Sequence, residues 1–191
     1  MNQMYTPAPP ASHDAIIAAT QTWLEKAVIG LNLCPFAKAV HVKNQIRYIV
    51  SAAQSVDALL SDLEAELQTL HAADPADIDT ILLIHPDVLQ DFMDYNDFLE
   101  TADKAIEGLE LDGEIQIASF HPHYQFAGTA ANDIENYTNR SPYPILHLLR
   151  EASIERAVEA FPQAETIFEK NMETLRELGL EGWQQLGLLK P

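Results

Sequence analysis

Two apolar runs end in the same dipeptide: Thr80–Ile84 is followed by His85-Pro86, and Glu114–Phe120 by His121-Pro122. Histidine is the side chain whose ordinary charge change falls near neutrality, and proline terminates strands. If the two runs are parallel strands, both rings lie at the carboxyl edge of one sheet, where open α/β sheets bind ligands. The plainer reading is that proline ends each strand and a histidine happens to precede it. His123 adds weight to the functional reading, because a His-x-His pair in extended chain points both rings to one side, a chelating geometry. A divalent metal such as zinc would need one or two further ligands, for which His85, His147, Glu151 and Cys34 are the candidates. His121, His123 and His147 are equally candidates for acid–base catalysis, or for polar loop residues bonded to backbone.

A second group of residues suits anion binding. Asn139-Arg140-Ser141-Pro142-Tyr143-Pro144 precedes an apolar segment. Pro142 and Pro144 carry no N–H, so an anion would be held by the Arg140 and Ser141 side chains rather than by a backbone cradle. Arg150 and Tyr124 complete the candidate substrate-binding set. The single cysteine, Cys34, is a small buried hydrophobe unless a neighbouring histidine or cation lowers its pKa. No strand is followed by a glycine-rich loop, so there is no nucleotide fingerprint. Beyond a divalent metal, the residues indicate no cofactor.

These residues must be positioned by the surrounding elements. Residues 1–12, with Pro7, Pro9 and Pro10, are expected to form a flexible arm, and 13–189 a single domain. A first helix starts near Ser12 or Asp14 and buries Ile17, Leu24, Val28 and Leu31. Val40, Val42, Ile46, Tyr48 and Val50 share one parity, which predicts a half-buried strand, or a hairpin bent near Lys43-Asn44. Ser55 caps a helix carrying Val56, Leu59, Leu63, Leu67 and Leu70. Thr80–His85 reads as a strand buried on both faces. Val88, Phe92, Tyr95, Leu99, Ala102, Ile106 and Leu109 keep one face of a long helix inward, with Asp87, Asp91, Asp94 and Asp97 on its solvated face. Residues 122–143 lack a period and form a long loop, expected to pack because it is rich in Tyr, Phe, Asn and Pro. Pro144 is expected to open a helix to about Ala160, with His147, Arg150 and Glu151 on one face. Pro162 opens a last helix through Leu178, closed by Gly179.

Helical connections of this length make successive strands parallel. The expected fold is a small single-domain α/β protein with three or four strands, crossover helices and two C-terminal helices. A ferredoxin-like α+β sheet is the alternative, and it requires the hairpin near residues 40–50.

The chain has 191 residues, with 11 Lys plus Arg against 29 Asp plus Glu, for a net charge of −18. That length supports one core, burying roughly 70% of the unfolded surface. The charge argues against nucleic acid or anionic lipid as a partner, since both need a basic footprint. No stretch approaches about 20 apolar residues, and the start has neither the basic nor the apolar region of a signal peptide. A cytoplasmic protein is expected. The acidity is local: residues 52–115 hold 17 of the 29 acidic residues and one Lys, whereas residues 121–156 hold Arg140, Arg150 and Arg156 against four acidic residues.

Several segments together resemble the signatures of an uncharacterised bacterial family, a domain of unknown function. They are Leu31-Asn32-Leu33-Cys34-Pro35-Phe36-Ala37, Asp94-Tyr95-Asn96-Asp97-Phe98-Leu99, Ser119–Thr129, and Asn136–Pro144 running on to His147-Leu148-Leu149-Arg150-Glu151. The resemblance spans about residues 20–185. It implies a single-domain bacterial protein and brings no activity with it. Three functions remain open from the sequence. The first is a small-molecule hydrolase or group transferase with a His/Arg pocket, metal-assisted or not. The second is a non-enzymatic protein binding a small anion. The third is an interaction module whose acidic half docks a basic partner.

Overall fold

The computed structural model describes residues 11–160 and 164–188. The expected N-terminal arm, apart from Ala11 and Ser12, and Pro162 lie outside the described residues.

The first helix, α1 (His13–Trp23), begins where Ser12 accepts a hydrogen bond from the Ala15 N–H, as an N-cap does. It runs on into a π-helical turn, Leu24–Ile29. The apolar buried stripe is Ile16, Trp23, Leu24, Ala27 and Val28: Leu24 and Val28 are as expected, Ile16 takes the place of Ile17, and Leu31 is only half-buried. Gly30 closes the wide turn, where a Cβ would lie 2.3 Å from the Lys26 carbonyl oxygen. A short α2 (Ala37–Val42) follows, and then β1 (Ile46–Val50). The expected strand over 40–51 is therefore helical in its first part and extended only in its second. The break falls at Asn44, whose φ of 57° is a left-handed conformation that Asn tolerates better than most residues. No hairpin forms there, which removes the ferredoxin-like alternative.

Ser55 caps α3 (Val56–Ala72), and its Leu59, Leu63, Leu67 and Leu70 are fully buried. β2 (Thr80–Ile84) is buried along its whole length. Asp91 caps α4 (Phe92–Gly108) by accepting from the N–H groups of Met93 and Asp94, a local role beyond the solvated face expected of it. β3 is Ile115–Phe120.

The segment after Pro144 corrects the expected helix. Ile145–Arg150 is a strand, β4, and helix α5 (Glu151–Ala160) starts only at its end. A short apolar run does not distinguish buried strand from buried helix by periodicity. Here β4 sits between β2 and β3 and pairs antiparallel with both, so its backbone groups are satisfied on two sides. His147, Arg150 and Glu151 thus do not share a helix face. His147 projects to one side of the sheet with Ile145 and Leu149, and Arg150 to the other. The last helix, α6 (Ile167–Gln185), kinks at Gly179, with φ 63° and ψ 175°. The expected stop is therefore a bend after which helical chain resumes.

The sheet order is β1-β2-β4-β3. β1 and β2 are parallel, and β3 runs the same way because both it and β2 oppose β4. This is a mixed α/β sheet of four strands with two C-terminal helices. Helices α3 and α4 cover one face around Leu63, Leu67, Leu83, Tyr95, Phe98 and Leu148. On the other face, α1, the π turn and the end of α6 pack on Leu82, Ile84 and Ile145.

Tyr95 joins the layers. Fully buried, its hydroxyl donates to the Ile145 carbonyl (2.8 Å) and accepts from the Phe120 N–H (3.1 Å). Substituting Tyr95→Phe keeps the ring and strands both backbone groups in the interior. The expected cost is about 1–3 kcal/mol, measured as a lower urea midpoint at unchanged slope. An unchanged midpoint would show that the bridge contributes nothing.

Candidate functional site

The carboxyl edge of the parallel strands gathers His85, His121, the 121–144 loop and the start of β4. His85 and His121 do come together there, both packed against Tyr95. His85 stacks on the Tyr95 ring at 5.7 Å and 19°, and His121 lies 5.1 Å from it. Both histidines are fully buried.

The hydrogen bonds determine the state of each ring. The His123 N–H must donate to His121 Nδ1 (3.0 Å), so His121 Nε2 carries the proton, which it donates to the Leu89 carbonyl (3.2 Å). His85 Nδ1–H donates to the Val88 carbonyl (3.0 Å), and its Nε2 has no partner among the described residues. Between β2 and β4, the Thr80 hydroxyl donates to the Leu148 carbonyl (2.6 Å), so His147 Nε2–H must donate to Thr80 Oγ1 (2.7 Å). Burial lowers all three histidines from 6.5 to about 4, which keeps them neutral at pH 7.

His123 is exposed, its ring 5.9 Å from that of His121. Pro122 turns the chain, so one ring goes inward and the other outward, rather than both to one side. Among the described residues, no three His, Cys, Asp or Glu side chains are grouped closely enough to hold a metal ion. Cys34 packs against the α1 side of the sheet, where burial pushes its thiol pKa up, the reverse of what a nucleophile needs.

Arg150 and Glu151 lie at the opposite end of β4. Arg150 closes the C-terminus of α3, donating to the carbonyls of Leu70, Ala73 and Ile78, which satisfies carbonyls the helix leaves free. Glu151 opens α5, with its N–H on the Glu114 carbonyl (2.9 Å).

Arg140, Ser141 and Tyr124 remain at the carboxyl edge. The loop that carries them is built on Asn136, which is buried. Its side chain accepts from the Phe126 N–H (3.0 Å) and the Thr129 hydroxyl (2.8 Å) and donates to the Ala130 carbonyl (2.8 Å). Tyr124 packs its ring between Phe92 and Phe126, each 5.0 Å away. Its carbonyl accepts from Arg140 Nε (3.2 Å), while Nη2 of Arg140 donates to the Ala131 carbonyl. The guanidinium lies 4.3 Å from the centre of the Tyr137 ring, a cation–π placement.

Arg140 and Ser141 line a cavity of about 280 Å³, closed by Trp23, Tyr137, Pro142 and Trp183. Trp23 is fixed by its Nε1–H on the Arg140 carbonyl (2.8 Å), and Tyr137 meets Trp183 edge to face at 5.0 Å. The wall carrying Leu180, Trp183 and Gln184 belongs to α6 beyond the Gly179 bend, held to the π-helical turn after α1 by Lys26 Nζ on the Leu186 carbonyl (2.8 Å). Trp23, Tyr137 and Trp183 were not among the residues singled out from the sequence. One signal for them was present: the chain has only two tryptophans, and both face this cavity. A second groove, between β1 and α3, presents Asp62 and Glu66 and is unsuited to an anion.

The sheet and its helices define a small α/β domain with an aromatic, arginine-bearing cavity at the carboxyl edge. Residues 15–185 match the family described as protein of unknown function, DUF1415, and the chain belongs to that family. No curated protein and no solved structure matches it.

The buried histidines make stability depend on pH with a definite sign. Unfolding returns each to about 6.5, so between about pH 6.5 and 4 the unfolded chain binds more protons. Their contribution is present above pH 6.5 and lost as pH falls toward 4. Urea midpoints at pH 7, 6 and 5 should decline, with a combined histidine slope of at most about 4 kcal/mol per pH unit. A flat profile would mean that the three rings are not held neutral.

Proposed function

We propose that this protein binds a small organic anion in the cavity at the carboxyl edge, as a binding protein rather than through histidine chemistry. One observation carries the reading: Arg140 faces an aromatic-walled cavity and pairs with no carboxylate among the described residues. In a chain with 29 Asp and Glu, a guanidinium bonded only to carbonyls keeps its full charge for a ligand.

The histidines support the non-catalytic form of the reading. A general base needs a lone pair within reach of substrate. The Nδ1 lone pair of His121 is taken by the His123 N–H, that of His85 is enclosed, and neither ring lines the cavity. A hydrolase or transferase built on His121, His123 and His147 would have to gather residues that stand in the core, on the surface and mid-sheet. The charge of −18 favours a small molecule over nucleic acid or anionic lipid as partner, and we place the protein in the bacterial cytoplasm. Among the described residues, no helix is long and apolar enough to cross a membrane.

Intrinsic fluorescence tests the reading, because Trp23 and Trp183 are the only reporters and both line the cavity. A panel of organic carboxylates, phosphate esters and sulfonates should include at least one that changes the emission saturably. Arg140→Gln should weaken that binding by tenfold or more, about 1.4 kcal/mol. A panel whose every hit binds Arg140→Gln as well as the parent would overturn the proposal.

A further inference from the structure

The cavity's donors and walls are specific enough to narrow the ligand. We infer that its ligand is an aryl monocarboxylate, a one- or two-ring aromatic acid whose carboxylate meets Arg140 and whose ring lies among Trp23, Tyr137 and Trp183. The inference rests on the proposed anion site and goes further by naming the chemical class.

The charge follows from the inventory of donors. Arg140 Nε and Nη2 point to the carbonyls of Tyr124 and Ala131, and Nη1 makes no hydrogen bond among the described residues. The Ser141 hydroxyl spends its proton on the Tyr143 carbonyl (2.6 Å), and the Trp23 Nε1–H is taken by the Arg140 carbonyl. Pro122 and Pro142 line the cavity without an N–H. The donors left include Arg140 Nη1, the Gln184 amide, the Tyr137 hydroxyl and the Trp183 Nε1–H. One positive charge among otherwise neutral donors matches the single charge of a carboxylate. A phosphate dianion calls for more: sites for it combine several backbone N–H groups at a helix N-terminus with cationic side chains. Neither α1 nor α6 turns its N-terminus toward this cavity. It is reached by the last residue of α1, by Tyr137 in the 3₁₀ turn Ile134–Thr138 and by the short helical stretch of α6 beyond the Gly179 bend.

The ring follows from the walls. Two indoles, a phenol, two prolines and the side chains of Leu180 and Leu188 surround the single guanidinium. The Tyr137 and Trp183 rings already meet edge to face, the geometry by which a further aromatic ring gains beyond mere area burial. At about 280 Å³ the space falls just below the ~300–1,000 Å³ usual for drug-sized ligands, which limits the ligand to one or two rings.

The experiment titrates the full-length chain with phenylacetate, phenyl phosphate, cyclohexylacetate and acetate, read by tryptophan fluorescence and by calorimetry. Phenylacetate should bind at least tenfold tighter than each of the other three. Gln184→Glu, which puts a second negative charge at the cavity without touching the loop that Arg140 holds, should weaken phenylacetate tenfold or more while leaving the melting temperature unchanged. Tighter binding of phenyl phosphate would overturn the carboxylate assignment and leave the anion site standing. Equal binding of cyclohexylacetate would overturn the aromatic part alone. No response to any probe by either method would overturn the site as well as the ligand class. Undiminished phenylacetate binding by Gln184→Glu would place its binding outside this cavity, against the inference.

Discussion

The hydroxyl of Tyr95 is the group on which the carboxyl edge depends. By bonding the Phe120 N–H and the Ile145 carbonyl at once, it joins the end of β3 to the start of β4, the two points between which the chain makes its longest irregular excursion. A loop of this length gains order only if its ends are fixed and its polar groups are satisfied internally. Tyr95 fixes the ends. Asn136 satisfies the interior, and Asn139 returns the chain to β3 through the Ser119 carbonyl (3.0 Å). Arg140 can then be delivered to the cavity with two of its nitrogens already committed.

The same constraint explains the histidines. Packing His85 and His121 on the Tyr95 ring removes them from water, and a buried imidazole that keeps good neutral partners loses its tendency to protonate. Their hydrogen bonds go to Val88 and Leu89, in the turn between β2 and α4. The two histidines thus hold the connection into α4 against the sheet edge. This role requires neutrality, whereas acid–base work requires a pKa near the working pH. The repeated His-Pro dipeptide marks strand ends, and the imidazoles staple the following turns.

Charge is partitioned along the chain in a way that suits the cavity. The acidic residues concentrate in α3, α4 and their connections, on one side of the sheet. The cavity lies at the opposite face, among α1, the end of α6 and the loop. An overall charge of −18 therefore does not make the cavity repel an anion, since interactions between exposed charges fade beyond a Debye length of about 8 Å at physiological salt.

Much of the architecture was legible in the residues themselves. Leu59, Leu63, Leu67 and Leu70 announced α3, the Phe92–Ile106 stripe announced α4, Ser12 and Ser55 marked helix starts, and Thr80–Ile84 read as a buried strand. These are local signals, set by side-chain period and capping chemistry, and they determined the α/β class and the three parallel strands. Arg140 and Ser141 were also identifiable as anion-binding candidates. Two elements were not legible. Ile145–Arg150 is apolar in both periods, and it became a strand because β2 and β3 left a central position whose hydrogen bonds only extended chain fills. The alternation that starts at Val40 reads as strand, yet Val40–Val42 lies in the helix α2, with the turn at Asn44 separating it from β1. The cavity was the least visible feature. Trp23, Tyr137 and Trp183 come from three distant parts of the chain, and no spacing rule connects them. They meet because α6 bends at Gly179 and its last turns dock on α1. Residue type and period determined the elements and the charge of this protein; long-range pairing and docking alone decided which strand is central, which histidines are sealed, and where an arginine with no carboxylate partner among the described residues stands beside two tryptophans.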